Sequence, residues 1–325
     1  KFKVAAVYEF CNYLPKQSFC GAIVHQQIQQ VEQQLNQVIL GKSAQIRLAL
    51  TCLLANGHLL LEDLPGMGKT TLAHALANSL GLSYRRVQFT SDLLPADLTG
   101  FSIYDARSQQ FHFQPGPVFS QVLLADEINR ASPKTQSALL EAMEERQVSI
   151  DGETRPLPNP FFVIATQNPL FHSGTSALPE SQLDRFLMRL SLGFPERAAE
   201  QQLLMADNEV QQQRQLATLL NHEQLQKLQF AVTQVVASEA LVSYLLDLVT
   251  ASRHRPDMLP ISPRGAKALL RAARAYALLH HRNYVTADDV KAVFPAVAEH
   301  RLQLRQQQNH SSLSALLLQE VPCPI

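Results

Sequence analysis

The stretch from His58 to Leu80 constrains this chain more than any other. A short apolar run, His58 to Leu61, is followed by Leu64-Pro65-Gly66-Met67-Gly68-Lys69-Thr70 and then by a helical stretch from Thr71 to Leu80. A phosphate chain needs converging backbone N–H groups, a helix N-terminus aimed at it, a lysine for the outer phosphates and a hydroxyl for a magnesium ion. Every one of these parts is present. Pro65, Gly66, Met67, Gly68, Lys69, Thr70 and Thr71 are therefore expected to cradle the phosphates, and Thr70 to reach Mg2+ as well. The strict spacing G-x-x-x-x-G-K-[ST] fails at its first position, where Asp63 stands. That residue is expected to lie at the rim and to be tolerated there.

A second run, Val122-Leu123-Leu124-Ala125-Asp126-Glu127, reads as a strand ending in two carboxylates. Adjacent side chains alternate along a strand, but at its carboxyl end both can reach the crevice where an α/β sheet binds its ligand. Asp126 is expected to hold Mg2+, mostly through its water shell, and Glu127 to polarise an attacking water. A third run, Phe161 to Thr166, ends in Gln167-Asn168-Pro169. Asn168 suits contact with both a γ-phosphate and the water, although Asn before Pro is also an ordinary turn. Arg185 and Arg264 each stand at the edge of an element, where a single arginine is usually solvated or paired.

The runs His58 to Leu61, Tyr84 to Phe89, Val122 to Ala125, Phe161 to Thr166 and Phe186 to Leu192 alternate with helical stretches such as Pro133 to Arg146. Strands buried on both faces read this way in a parallel sheet flanked by helices. Beyond Pro195 the pattern is helical throughout: Glu196 to Leu204, Glu223 to Val236, Leu241 to Val249, Gly265 to Leu279, and Ala287 to Leu304 with Thr286 as N-cap. The expected fold is α/β of the P-loop NTPase type in residues 23–195, followed by an all-α lid in 196–325. Residues 1–22 carry no sustained period and are read as an extension foreign to the rest of the chain. From Ile23 a helical pattern runs to Gly41, a C-cap candidate.

Composition narrows the classes. Lys and Arg number 28 against 28 Asp and Glu, so no global charge draws the chain to nucleic acid or an anionic membrane. No window reaches the length of a membrane span, no secretion signal is read at the amino end, and Cys11, Cys20, Cys52 and Cys323 have no disulfide or metal spacing. A reduced, cytoplasmic protein is expected. The glutamine patches 26–34, 211–215 and 306–308 read as solvated helix faces and loops.

Five segments, Leu59 to Ala73, Gln88 to Gly100, Asp126 to Ala131, Ala165 to Pro169 and Leu178 to Phe186, closely resemble the MoxR family of AAA+ ATPases in content and order. The resemblance runs from about Ile23 to the end. It implies ATP and Mg2+ as cofactors, a homo-oligomeric ring that is commonly a hexamer, and chaperone-like remodelling of a protein client. It further implies a partner bearing a von Willebrand factor A domain. On this basis Arg185 is the arginine finger reaching a neighbour's γ-phosphate, and Arg264 the lid arginine called sensor 2, acting in its own subunit or the next. Ile39 and Gly41 sit where similar proteins contact adenine, or else form a plain helix cap. The intervals Phe101 to Pro115 and Val148 to Leu157 fit two family hairpins, the second turning at Asp151-Gly152.

Three other classes compete. A nucleic-acid-associated motor or loader would use Arg253, Arg255, Lys267, Arg271, Arg274, Arg282 and Arg301, but neutrality and the lack of Trp count against it. A small-molecule kinase lacks an evident acceptor pocket. A non-hydrolysing nucleotide adaptor fits poorly with Lys69, Thr70, Asp126 and Glu127 all in place.

Overall fold

The structure, a computed structural model, describes residues 19–168, 178–205, 216–302 and 312–323, with side chains from residue 26 onward. Pro169, the glutamine patches 211–215 and 306–308, Cys11 and residues 1–18 lie outside the described residues.

Helices α1 (Phe19–Val38) and α2 (Ser43–Leu54) lead into β1 (Leu59–Glu62), α3 (Lys69–Ser79) and β2 (Tyr84–Gln88). A short α4 (Pro95–Thr99) precedes a ribbon of β3 (Gly100–Asp105) and β4 (Gln110–Pro115). Then come β5 (Val122–Asp126), α5 (Pro133–Glu145), a second ribbon of β6 (Gln147–Ile150) and β7 (Glu153–Pro156), β8 (Phe162–Gln167), α6 (Glu180–Leu183) and β9 (Met188–Leu190). The remaining described elements are helices: α7 (Arg197–Met205), α8 (His222–Gln234), α9 (Glu239–His254), α10 (Pro263–Leu279), α11 (Ala287–Ala298) and α12 (Leu313–Glu320).

The core sheet is parallel, in the order β2-β5-β8-β1-β9. Alternation along each strand divides the apolar side chains between two cores. Leu59, Leu61, Val122, Leu124, Phe162 and Ile164 join the larger one, with α1, α2, α3 and the later helices. Leu60, Leu123, Ala125, Val163 and Ala165 join the smaller one, packed on α5. This two-sided burial is why the strands read as continuous apolar runs.

Three elements differ from the sequence reading. Helix α1 begins at Phe19, so residues 19–22 belong to it rather than to a separate extension. Helix α2 has no counterpart in that reading, although it buries Ile46, Ala49, Leu50, Cys52, Leu53 and Leu54; residues 49–54 are buried without a break, so its second half has no polar face to mark a period. Helix α11 carries the Thr286 cap as expected but stops at Ala298 instead of Leu304, giving way to a turn through Leu302.

Both hairpins form. The second turns at Asp151 and Gly152, with φ of 54° and 78°, the left-handed pair that a two-residue turn requires. At the root of the first, a Cβ on Gly100 would lie 2.4 Å from the Gln114 carbonyl, and one on Gly116 would lie 2.2 Å from the Leu98 carbonyl. Side chains are therefore excluded where this ribbon leaves the body. The ribbons touch through Ser102 Oγ, which donates to Asp151 Oδ2 at 2.6 Å, and through the Arg155 guanidinium, 4.1 Å over the Phe113 ring. Among the described residues no helix is long and apolar enough to cross a membrane.

Candidate active site

In a parallel sheet every strand ends at the same edge, so β1, β5 and β8 deliver the P-loop, Asp126 with Glu127, and Asn168 to one place. Gly66 and Gly68 both adopt φ of +85°, with open space where a Cβ would stand. That conformation turns successive N–H groups into one concavity and leaves room for a ligand against the backbone. Met67 packs against the larger core and anchors the loop. Pro65, Gly66 and Thr71 are exposed, and Lys69 and Thr70 half-buried at the first turn of α3. Lys69 Nζ donates to the Asp63 carbonyl at 2.5 Å. Burial pulls its ammonium below the ordinary value, opposed by Asp63, Asp126 and Glu127.

Asp63 is not at the rim. It is 6% exposed, and its carboxylate accepts from Ser191 Oγ at 2.7 Å, Leu192 N–H at 2.6 Å and Gly193 N–H at 3.1 Å. A glycine at this position would leave three donors on the segment after β9 without that acceptor. The departure from the strict motif thus ties the P-loop to the chain that leads into the later helices.

Strand register explains the acidic pair. Ala125 lies opposite Ala165, so Asp126 and Thr166, one residue further on, share a face, and Thr166 Oγ1 donates to Asp126 Oδ1 at 2.6 Å. Glu127 would point the other way, but its φ of 56° is left-handed and turns it aside. Its N–H donates to the same Thr166 oxygen at 2.8 Å. Its carboxylate accepts from Gln88 Nε2 at 2.8 Å and Arg130 Nη1 at 2.7 Å. The other oxygen of Asp126 carries Arg86, with Nη2 at 2.6 Å. Sequence reasoning misses Thr166, Gln88 and Arg86. A polar Thr closing an all-apolar strand is the signal available for the first.

The donor set fits a magnesium nucleotide. Thr70 and Asp126 are hard oxygen donors, few enough to leave most of the ion's shell to water and phosphate. Arg86 on Asp126 shows that this carboxylate attracts a cation, and the glycine concavity with Lys69 beside it suits phosphate.

Ile39 is buried in the larger core, 7% exposed. Gly41 has φ of +72°, and a Cβ there would meet the Ala199 Cβ at 3.0 Å, while Lys42 Nζ donates to the Phe194 carbonyl at 2.6 Å. This turn therefore packs on the segment that Asp63 also holds.

Arg185 and Arg264 are not brought to the P-loop. Arg185 precedes β9, and Arg264 opens α10 beside Asn56 and Gly57, which precede β1. Both lie at the amino edge of the sheet, opposite the phosphate site. Here α5, running back from the carboxyl edge, carries in its last turn Glu144, which pairs with Arg185 Nε at 3.0 Å and with Arg264 Nη2. Arg185 Nε has no aligned hydrogen bond among the described residues. A cavity of about 490 Å³ opens there, lined by Arg146, Arg185, Arg264, Lys267 and Arg271 against Glu144 and Asp184. Elsewhere in the lid, Arg255 pairs with Asp257 and Glu320, and Arg282 with Asp289.

A P-loop, an acidic strand end and a polar residue on the next strand, with a helical lid behind a five-stranded parallel sheet, define an AAA+ type ATPase fold. Residues 58–188 match the ATPase family associated with various cellular activities (AAA), and residues 258–320 match the AAA lid domain. The chain belongs to the MoxR family of AAA+ ATPases. It is 45% identical over 293 residues to the uncharacterized protein YeaC of Bacillus subtilis, spanning 90% of this chain and 92% of that one. It is 40% identical over 282 residues to "Chaperone MoxR1" of Mycobacterium tuberculosis, spanning 83% and 74%. A crystal structure from Cytophaga hutchinsonii with a provisional ATPase description superposes with a TM-score of 0.84 at 34% identity, covering 94% of this chain and 97% of that one.

Proposed function

We propose that this chain hydrolyses ATP with Mg2+ in a homo-oligomeric ring, hexameric by the family resemblance, and uses the turnover to remodel a protein client. The observation that carries the reading is the separation of two half-sites. Lys69, Thr70, Asp126, Glu127 and Asn168 gather at the carboxyl edge of the sheet, and Arg185 with Arg264 at the amino edge. Strands of four to six residues rising about 3.3 Å each hold the two edges more than 10 Å apart. The arginines therefore serve the site of an adjacent copy, Arg264 acting in trans like Arg185.

Within one composite site the P-loop amides and Lys69 hold the triphosphate, and Glu127 accepts the proton of the attacking water. Thr166 fixes Glu127 and Asp126 together, and Asn168 stands where a γ-phosphate and the water meet. Thr70 and Asp126 would hold a magnesium ion, which would supply charge to neutralise the outer phosphates. The neighbour's guanidiniums spread over the oxygens of the group being transferred. The chaperone role is supported by the name of the Mycobacterium relative, and a von Willebrand factor A domain partner by the family resemblance.

Phosphate release with ATP and Mg2+, measured per subunit against protein concentration, tests this reading. The rate is expected to climb as subunits associate. A rate flat from dilute to concentrated protein would overturn the shared site, and calorimetry without any adenine nucleotide affinity would overturn the whole.

A further inference from the structure

One buried guanidinium grips the turn that presents Arg185. The Arg301 side chain, 4% exposed, comes from the turn after α11. Its Nε donates to Asp184 Oδ1 at 2.7 Å. Its Nη2 donates to the Asp184 carbonyl at 3.1 Å and the Phe186 carbonyl at 2.7 Å, and Nη1 to the Leu187 carbonyl at 3.3 Å. Carbonyls on both sides of Arg185 are thus fixed by a single side chain from the lid. The second oxygen of Asp184 accepts from Ser262 Oγ at 3.0 Å, and Ser262 is the N-cap of α10, two residues before Arg264. Gly265 permits the fit, since a Cβ there would stand 3.1 Å from Arg301 Cδ.

Stability alone is a weak reason for such a pair. Burial pulls the Arg301 guanidinium below its ordinary value against the opposing Asp184, and well-packed apolar residues often replace buried ion pairs without loss. What the ion pair supplies is direction: four hydrogen bonds from one rigid fork lock a short turn onto the lid, while Nη1 is also held by the Val297 carbonyl of the lid itself.

We propose that Asp184 and Arg301 are positioning residues for the reaction in the adjacent subunit. They fasten the turn bearing Arg185 to the lid at two points, Arg301 and the Ser262 cap of the helix that bears Arg264, so that the lid's orientation sets where both arginines reach. This rests on the proposal that Arg185 and Arg264 act in trans. A displacement of about 1 Å in such a group costs up to about 10²-fold in rate.

The test mixes subunits. Asp184→Asn keeps the size of the side chain and its contact with Ser262, and Arg301→Met removes the fork; each leaves the P-loop and Glu127 untouched. Each is assayed for phosphate release alone and with an equal amount of Glu127→Gln, which is inert itself but lends an intact Arg185. The expected result is turnover about 10²-fold down for the variant alone, ATP affinity unchanged, and recovery on mixing. Should Arg301→Met not fold, Asp184→Asn decides by itself. Arg185→Ala is run in parallel. If it turns over at the wild-type rate, the trans reading itself fails. If it is slow and rescued while Asp184→Asn is either fully active or slow without rescue, the positioning role is overturned and the trans reading stands.

Discussion

Arg185 and Arg264 approach different oxygens of one carboxylate, that of Glu144 at the end of α5. One residue precedes β9 and the other opens a lid helix, and their shared counter-ion places both on a single surface facing away from their own P-loop.

Arg264→Ala therefore distinguishes the two roles open to this residue. Acting on a neighbour, its loss slows phosphate release, by about 10³-fold or more for a full arginine-finger contribution, and leaves nucleotide affinity of dilute subunits within a factor of about two. Weakened binding of a fluorescent ATP analogue by dilute Arg264→Ala would assign it to its own site.

Glu127→Gln keeps an oxygen able to accept from Arg130 and removes the base. ATP binding is expected to persist while turnover drops by about 10²-fold or more. Single-turnover phosphate release gives the answer, and an unchanged rate rejects Glu127 as the base.

Asp63→Gly restores the consensus of the loop and is expected to harm the protein. It removes the acceptor of three hydrogen bonds from residues 191–193. Hydrogen bonds to a charged group are worth about 1.5–3 kcal/mol each, and the loss is not additive, so a drop of at least about 2 kcal/mol in urea unfolding is anticipated. A variant as stable as the parent would remove the structural role assigned to Asp63.

His58 makes stability depend on pH. It is buried, its Nδ1 accepts from the Val163 N–H at 3.0 Å, and burial foremost, then Arg146, pushes its pKa down to about 3. The unfolded imidazole titrates near about 6.5, so between these values the unfolded chain binds a proton that the folded one does not. Stability is retained above pH of about 6.5 and falls as acid is added, by up to about 1.4 kcal/mol per unit for one histidine. His300, also held well below its ordinary value by burial, adds to the slope. Denaturant melts of the parent and His58→Gln from neutral to mildly acidic pH check this; identical slopes would contradict it.

Much of the carboxyl edge can be read from the chain because the relevant residues sit at the ends of apolar runs: Lys69 after one, Asp126 and Glu127 at the next, Asn168 after a third. Such a run announces a strand buried on two faces, and in a parallel sheet all strand ends coincide. What escapes is set across the chain. Thr166 meets Asp126 through register, Asp63 meets Gly193 through a neighbouring strand's exit, and Arg301 meets Asp184 between lid and core. Local periodicity carries no trace of these. Helix α2 escapes for the opposite reason, since its second half, residues 49–54, is buried all round and loses the alternation that would reveal it.

The glycine-tight root of the first ribbon has a steric corollary. Gly100 and Gly116 pack against carbonyls of the opposite strand and of α4 closely enough that any side chain at either position would force the two apart. Tyr104 and Phe111 near its tip, 54% and 72% exposed, stand at the far end of the ribbon from this junction with α4 and the approach to β5. The tip is open to change in chemistry, while positions 100 and 116 at the base admit no side chain, so the inner end of the ribbon, which leads on to the strand carrying Asp126, is the part a substitution would disturb.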